Sequence, residues 1–125
     1  MFAIGVVSQF EAAHTLRGDF GPASRLHGHT YRVEVEVSGP QLQNDGTLFD
    51  IGRLSDWVDE VVGDLHYRNL DELPAFADRN TTAEEVSRHL RDVLAPRLHG
   101  QGLRELSVRV WESPQVYATC TRELS

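Results

Sequence analysis

From Thr30 to Val37 the chain alternates without a break: Tyr31, Val33, Val35 and Val37 fall on one side, Thr30, Arg32, Glu34 and Glu36 on the other. A period of two over eight residues demands a strand with one buried face and one wet face. Immediately ahead stand Arg25-Leu26-His27-Gly28-His29. On a strand, His27 and His29 point the same way, and two imidazoles on one face can share a metal ion. A second segment, residues 2–12, alternates more loosely, with Phe2, Ile4, Val6, Ser8, Phe10 and Ala12 on one side, and His14 closes it. Pairing of the two strands brings His14 towards His27 and His29. Three neutral imidazoles with a free fourth position are the ligand set of a catalytic zinc site. The plainer reading is two surface histidines and one core histidine.

The rest of the chain supplies layers around these strands. Residues 15–24 hold two glycines and a proline and read as a loop, after which the second strand runs over 29–38. Turn chemistry fills 39–47, and Asp50 is placed to cap a helix over 51–65 with Leu54, Trp57, Val58, Val61, Val62 and Leu65 on one side. A polar loop, 66–80, leads to a second helix starting near Thr81 or Thr82, since Thr81 with Glu84 and Thr82 with Glu85 both fit a capping box. Val86, Leu90, Val93 and Leu94 are its apolar side, and Pro96 and Gly100 end it. Leu106, Val108 and Val110 alternate in a third strand, residues 112–115 turn, and 116–123 run back. The order β-β-α-α-β-β predicts an α+β domain over 1–125, with an antiparallel four-stranded sheet and two helices on one face. Such a sheet has two open edges, which a ring of copies joined sheet to sheet would close.

Composition removes several functions. The net charge of −7 disfavours a nucleic-acid binder. All 12 basic residues are arginines, so lysine Schiff-base chemistry and a P-loop lysine are excluded. No run approaches the roughly 20 apolar residues of a membrane span, and nothing resembles an export signal, so the expected location is the cytoplasm. The single cysteine, Cys120, permits no internal disulfide and reads as a small buried residue.

Six segments, taken together, resemble one family. They are Phe10-Glu11-Ala12-Ala13-His14, Leu26-His27-Gly28-His29-Thr30-Tyr31, Phe49-Asp50, Arg68-Asn69-Leu70, Asn80-Thr81-Thr82-Ala83-Glu84 and Trp111-Glu112-Ser113. In this order they resemble the 6-pyruvoyl-tetrahydropterin synthase / 6-carboxytetrahydropterin synthase family over nearly the whole chain. The resemblance implies the tunnelling fold (T-fold), with subunit sheets closing into a barrel and a homohexamer of two stacked trimers. It implies a Zn2+ site at His14, His27 and His29. It implies a small heterocyclic substrate, a pterin, anchored by Glu112 beside Ser113, with Thr82, Ala83 and Glu84 lining the pocket at a subunit boundary. One carboxylate can accept two hydrogen bonds from adjacent N–H groups of such a ring.

The departures bear on the chemistry. Members of the family commonly carry a catalytic cysteine four residues before the second zinc histidine; that position here is Ala23, with Ser24 the nearest hydroxyl. Where the family has an Asp-His pair ahead of the Arg-Asn-Leu-like segment, this chain has His66-Tyr67, with Asp64 two residues before His66. A thiolate poised near neutrality can take a proton; an unassisted serine cannot. His66 and Tyr67 are therefore the candidate replacement acid/base pair, against a plainer reading as a loop histidine and a packed tyrosine. These features predict a zinc-dependent lyase or isomerase acting on the side chain of a pterin-like heterocycle by altered chemistry. The alternatives are a non-catalytic binding homologue, and the standard synthase working through a relay displaced onto Asp64 and His66.

Overall fold

The computed structural model describes residues 1–124, so the last position of the expected 1–125 domain lies outside the described residues. Strands β1 (Phe2–His14) and β2 (His27–Gly39) form a long antiparallel ladder, from Phe2 opposite Gly39 to His14 opposite His27. Both outrun their expected limits, because the ladder's last pairs are made by the histidines themselves. Helices α1 (Ile51–Gly63) and α2 (Ala83–Leu98) follow, with strand β3 (Arg68–Asn69) between them. Strands β4 (Glu105–Ser113) and β5 (Val116–Glu123) complete the chain as an antiparallel hairpin.

The sheet has five strands in the order β3-β1-β2-β4-β5, not the four expected. β3 runs parallel to β1 and is too short for any periodicity to reveal. It is reached through Tyr67, whose φ of 57° turns the chain and whose N–H donates to the Glu11 carbonyl at 2.7 Å. One face of the sheet carries Phe10, Tyr31, Val33, Val35, Val37, Leu106, Val108 and Val110, all buried. Leu54, Val58, Val61 and Val62 of α1, and Val86, Leu90, Leu94 and Leu98 of α2, close over it. Each such side chain contributes about 1.5–3 kcal/mol by leaving water. No helix among the described residues is long and apolar enough to cross a membrane.

Asp50 caps α1 as expected, accepting from the Arg53 N–H at 3.0 Å. Of the two candidate caps for α2, Thr82 is the one used, accepting from the Glu85 N–H at 3.2 Å. Thr81 is fully buried and bonds elsewhere. Pro96 does not stop α2, which continues to Leu98. It sits in the last turn, and Asp92, whose carbonyl loses a partner there, is exposed to water. Gly100, at φ 75°, then redirects the chain. Cys120 is half-buried, not fully buried, and accepts from Nη1 of Arg91 at 2.9 Å.

Candidate metal centre and active site

The β1–β2 register decides what gathers at the end of the buried face. His14 lies opposite His27 and Ala12 opposite His29, so all three imidazoles project to one side. Their ring centroids are 4.5, 5.1 and 4.8 Å apart, and one nitrogen from each lies within 4.8 Å of the others. His14 is fully buried, while His27 and His29 are partly open.

Hydrogen bonding fixes which nitrogens face inward. Nδ1 of His14 is 2.7 Å from the Thr81 carbonyl, and Nδ1 of His27 is 2.7 Å from the Arg25 carbonyl. A carbonyl only accepts, so both Nδ1 atoms carry the proton and both Nε2 atoms present a lone pair. Nε2 of His14 is buried with no hydrogen-bond partner among the described residues. Leaving such an atom unpaired costs about 1–3 kcal/mol, and a cation among three lone pairs removes that cost. The donor set therefore fits a zinc ion with three neutral imidazole ligands. Burial lowers the pKa of His29 from its ordinary value, and the other two imidazoles lower it further; the Glu112 carboxylate and carbonyl oppose them. The net lowering keeps the ring neutral, as a ligand must be.

Two residues further along the same face lies a group the sequence reading left in the core. The Tyr31 ring stacks on Phe10 at 4.7 Å and stands 5.3 Å from His29 and 6.1 Å from His14. Its hydroxyl is buried without a hydrogen-bond partner among the described residues. Burial first, then the charges of Glu112 and Asp71, push its ionisation well above the ordinary range. The period-two pattern that placed Tyr31 on the histidine face was the available signal. Thr81 and Asp71 were also missed, one read as a helix cap and the other as loop.

The other candidates separate into distinct places. Glu112 is half-buried and close enough to His29 and Tyr31 to influence both; it makes no ion pair among the described residues. Ser113 opens instead into a cavity of about 420 Å³ lined by Thr30, Arg32, Glu34 and Trp111 on the helix-free face. The hydroxyl of Thr82 is used as a cap, and Glu84 is exposed on the first turn of α2.

His66 and Tyr67 occupy the sheet edge beside β1. Nδ1 of His66 accepts from the Glu11 N–H at 3.1 Å, so the neutral ring carries its proton on Nε2. The two rings lie 3.9 Å apart, and Tyr67 is 77% exposed, so it is not the packed tyrosine of the plainer reading. Among the described residues their aromatic contact is with each other, not with the three imidazoles. Tyr67 does share a cavity of about 550 Å³ with His29, Gly28, Thr30, Glu11 and Arg68. Ser24 donates to the Gly18 carbonyl at 2.9 Å and accepts from the Phe20 N–H, which ties the loop together.

Comparison with known proteins agrees with this arrangement. A sequence profile described as 6-pyruvoyl tetrahydropterin synthase matches residues 3–123. A Pyrococcus horikoshii protein named putative 6-carboxy-5,6,7,8-tetrahydropterin synthase is 32% identical over 137 aligned residues, covering 90% of this chain and 85% of that one. A Pyrococcus furiosus protein named dihydroneopterin monophosphate aldolase is 32% identical over 106 residues, covering 84% of each. The structure of Caenorhabditis elegans 6-pyruvoyl tetrahydropterin synthase superimposes with a TM-score of 0.84 at 23% identity, over 97% of this chain and 95% of that one. The α+β T-fold expected from the motifs is the fold observed. The extent of the profile match and the identity to the archaeal relatives, on a three-histidine cluster, make this chain a member of the 6-pyruvoyl tetrahydropterin synthase family.

Proposed function

We propose that the chain is a zinc-dependent lyase acting on the side chain of a reduced pterin or a closely related heterocycle, by chemistry altered from that of the standard synthase. The observation that carries this reading is Nε2 of His14, a buried bare nitrogen beside two further imidazoles. His14, His27 and His29 would hold the zinc. Bound there, zinc supplies a Lewis acid for a hydroxyl or carbonyl oxygen of the side chain. Glu112 would accept the two adjacent N–H groups of the ring's 2-amino-4-oxo edge. Thr82 and Glu84 at the start of α2, and Ser113 on the opposite face, would serve a pocket completed by a second copy, as the expected homohexamer provides. His66, through its Nε2–H, and the exposed Tyr67 hydroxyl would move protons from the sheet edge. The same reading takes 1–125 as one domain working in the cytoplasm.

The absent cysteine favours side-chain cleavage. Aldol cleavage needs a base for a hydroxyl proton and a conjugated acceptor for the released electron pair; neither has to be a thiol. The name of the P. furiosus relative, dihydroneopterin monophosphate aldolase, describes such a reaction. The name of the P. horikoshii relative supports a second reading, the 6-carboxytetrahydropterin synthase reaction through a displaced relay. The test is metal analysis of purified protein, followed by incubation with dihydroneopterin, its monophosphate, its triphosphate and sepiapterin. Stoichiometric zinc, with a cleaved product that His14→Ala abolishes, is the expected result. A 6-carboxy product from the triphosphate would replace it with the second reading. Zinc with bound, unconverted pterin would leave a binding homologue, and absence of zinc would end both enzyme readings.

A further inference from the structure

A polar path leads from the metal centre into the segment between β3 and α2. Nδ1 of His14 lies 2.7 Å from the carbonyl oxygen of Thr81 and 3.1 Å from its hydroxyl oxygen. That hydroxyl donates to Oδ1 of Asp71 at 2.8 Å, and Oδ2 of Asp71 accepts from the Thr15 N–H at 2.8 Å. Both carboxylate oxygens are thereby engaged. His14 and Thr81 are both fully buried, so water does not substitute for these partners. The cap of α2 is made by Thr82, which leaves the Thr81 hydroxyl free of that duty.

Donor accounting gives the path a direction. An ionised carboxylate only accepts, so the hydroxyl proton of Thr81 is committed to Asp71. Towards His14 the hydroxyl then presents a lone pair, as does the carbonyl. Every group at Nδ1 is an acceptor, so the proton must sit on Nδ1 and the lone pair on Nε2. A histidine side chain free in water prefers the opposite tautomer. We infer that Asp71 and Thr81 are positioning residues of the metal centre, which hold His14 in the tautomer and orientation that ligation requires. The inference rests on the zinc reading above for its function. Its geometry is independent of what the site catalyses.

An amide introduced by Asp71→Asn can donate to the Thr81 hydroxyl, whose own proton then faces the Nδ1–H that the Thr81 carbonyl keeps there, and the hydroxyl's hold on the ring orientation is lost. Thr81→Val removes the link; Thr81→Ser keeps it. D71N and T81V both keep the Thr81 carbonyl on Nδ1 and test the hydroxyl and Asp71 behind it; disturbing such outer partners of a metal-ligating histidine lowers metal affinity about 10–100-fold. The experiment is zinc affinity by chelator competition for the parent, D71N, T81V and T81S. Alongside it, nitrogen-15 NMR of the metal-free parent near pH 8 reads the His14 tautomer. Expected are an Nδ1–H tautomer in the parent, affinity loss in D71N and T81V, and near-parent affinity in T81S. A merely structural role would lower the melting temperature of the metal-free variants and leave zinc affinity unchanged. An Nε2–H tautomer in the parent, or parent-like affinity in both D71N and T81V, would overturn the inference. Should D71N fail to fold, T81V against T81S still decides, since the pair differs in the hydroxyl link and keeps the carbonyl. A parent that binds no zinc at all would sink the lyase reading instead, with the tautomer measurement separating the two failures.

Discussion

The helix-covered face of the sheet has two ends built on the same strands to opposite purposes. At one end Val35, Val37, Leu106 and Val108 lie beneath α1 and α2, wholly apolar and closed. At the other, β1 and β2 deliver His14, His27, His29 and Tyr31, with two buried polar atoms that have no partner among the described residues. The first end gains about 1.5–3 kcal/mol per buried side chain. The second loses about 1–3 kcal/mol per unpaired polar atom. The closed end stabilises a fold whose open end, by itself, would not hold its polar groups in place.

The largest effect that tests this division belongs to the closed end. Leu90→Ala should cost about 2–5 kcal/mol by denaturant unfolding, since Leu90 is fully buried. Zinc affinity of the folded variant should stay at the parent value; a matching fall in affinity would erase the division. A smaller effect of opposite sign is expected at the open end. Tyr31→Phe removes a buried hydroxyl without a partner, so the metal-free protein should keep its stability or gain up to about 1 kcal/mol. A loss of that size would show that the hydroxyl is bonded in solution.

The smallest effect is in pH. Burial lowers the pKa of His29 at the open end and of His89 in α2 below their ordinary value of 6.5. Below that pH the unfolded chain binds protons more readily than the folded one, so stability rises with pH across the window. The metal-free protein should be at full stability above about pH 6.5 and melt progressively lower as pH falls beneath it. His89→Gln should flatten part of that slope, and an unchanged slope would assign the whole of it to the open end.

Periodicity made most of this legible. The alternation in β2, and its pairing with the strand that His14 closes, bring the three histidines towards one another; the register His14 opposite His27 comes from the structure. Where the sequence reading missed, long-range partners decided. Thr81 and Thr82 carry equivalent cap spacing, and only the approach of His14 and Asp71 shows which threonine is spoken for. β3 spans two residues and exists because β1 offers an edge, which no local pattern encodes. Pro96 was read as a stop because local chemistry ignores that Asp92 faces solvent. Glu112 and Ser113 were grouped as neighbours in sequence, yet Ser113 opens to the helix-free side of the sheet.

The ladder between β1 and β2 ends with His14 facing His27. A slip of one residue anywhere along it would turn one strand's side chains to the opposite face. His14 would then point away from His27 and His29, and the trio would be broken by an error made as far off as Phe2 and Gly39. The histidine cluster thus acts as a checksum on strand pairing. A metal ion held by all three imidazoles would require the two longest strands to be zipped correctly, and its capture would bias the population towards the chains that are.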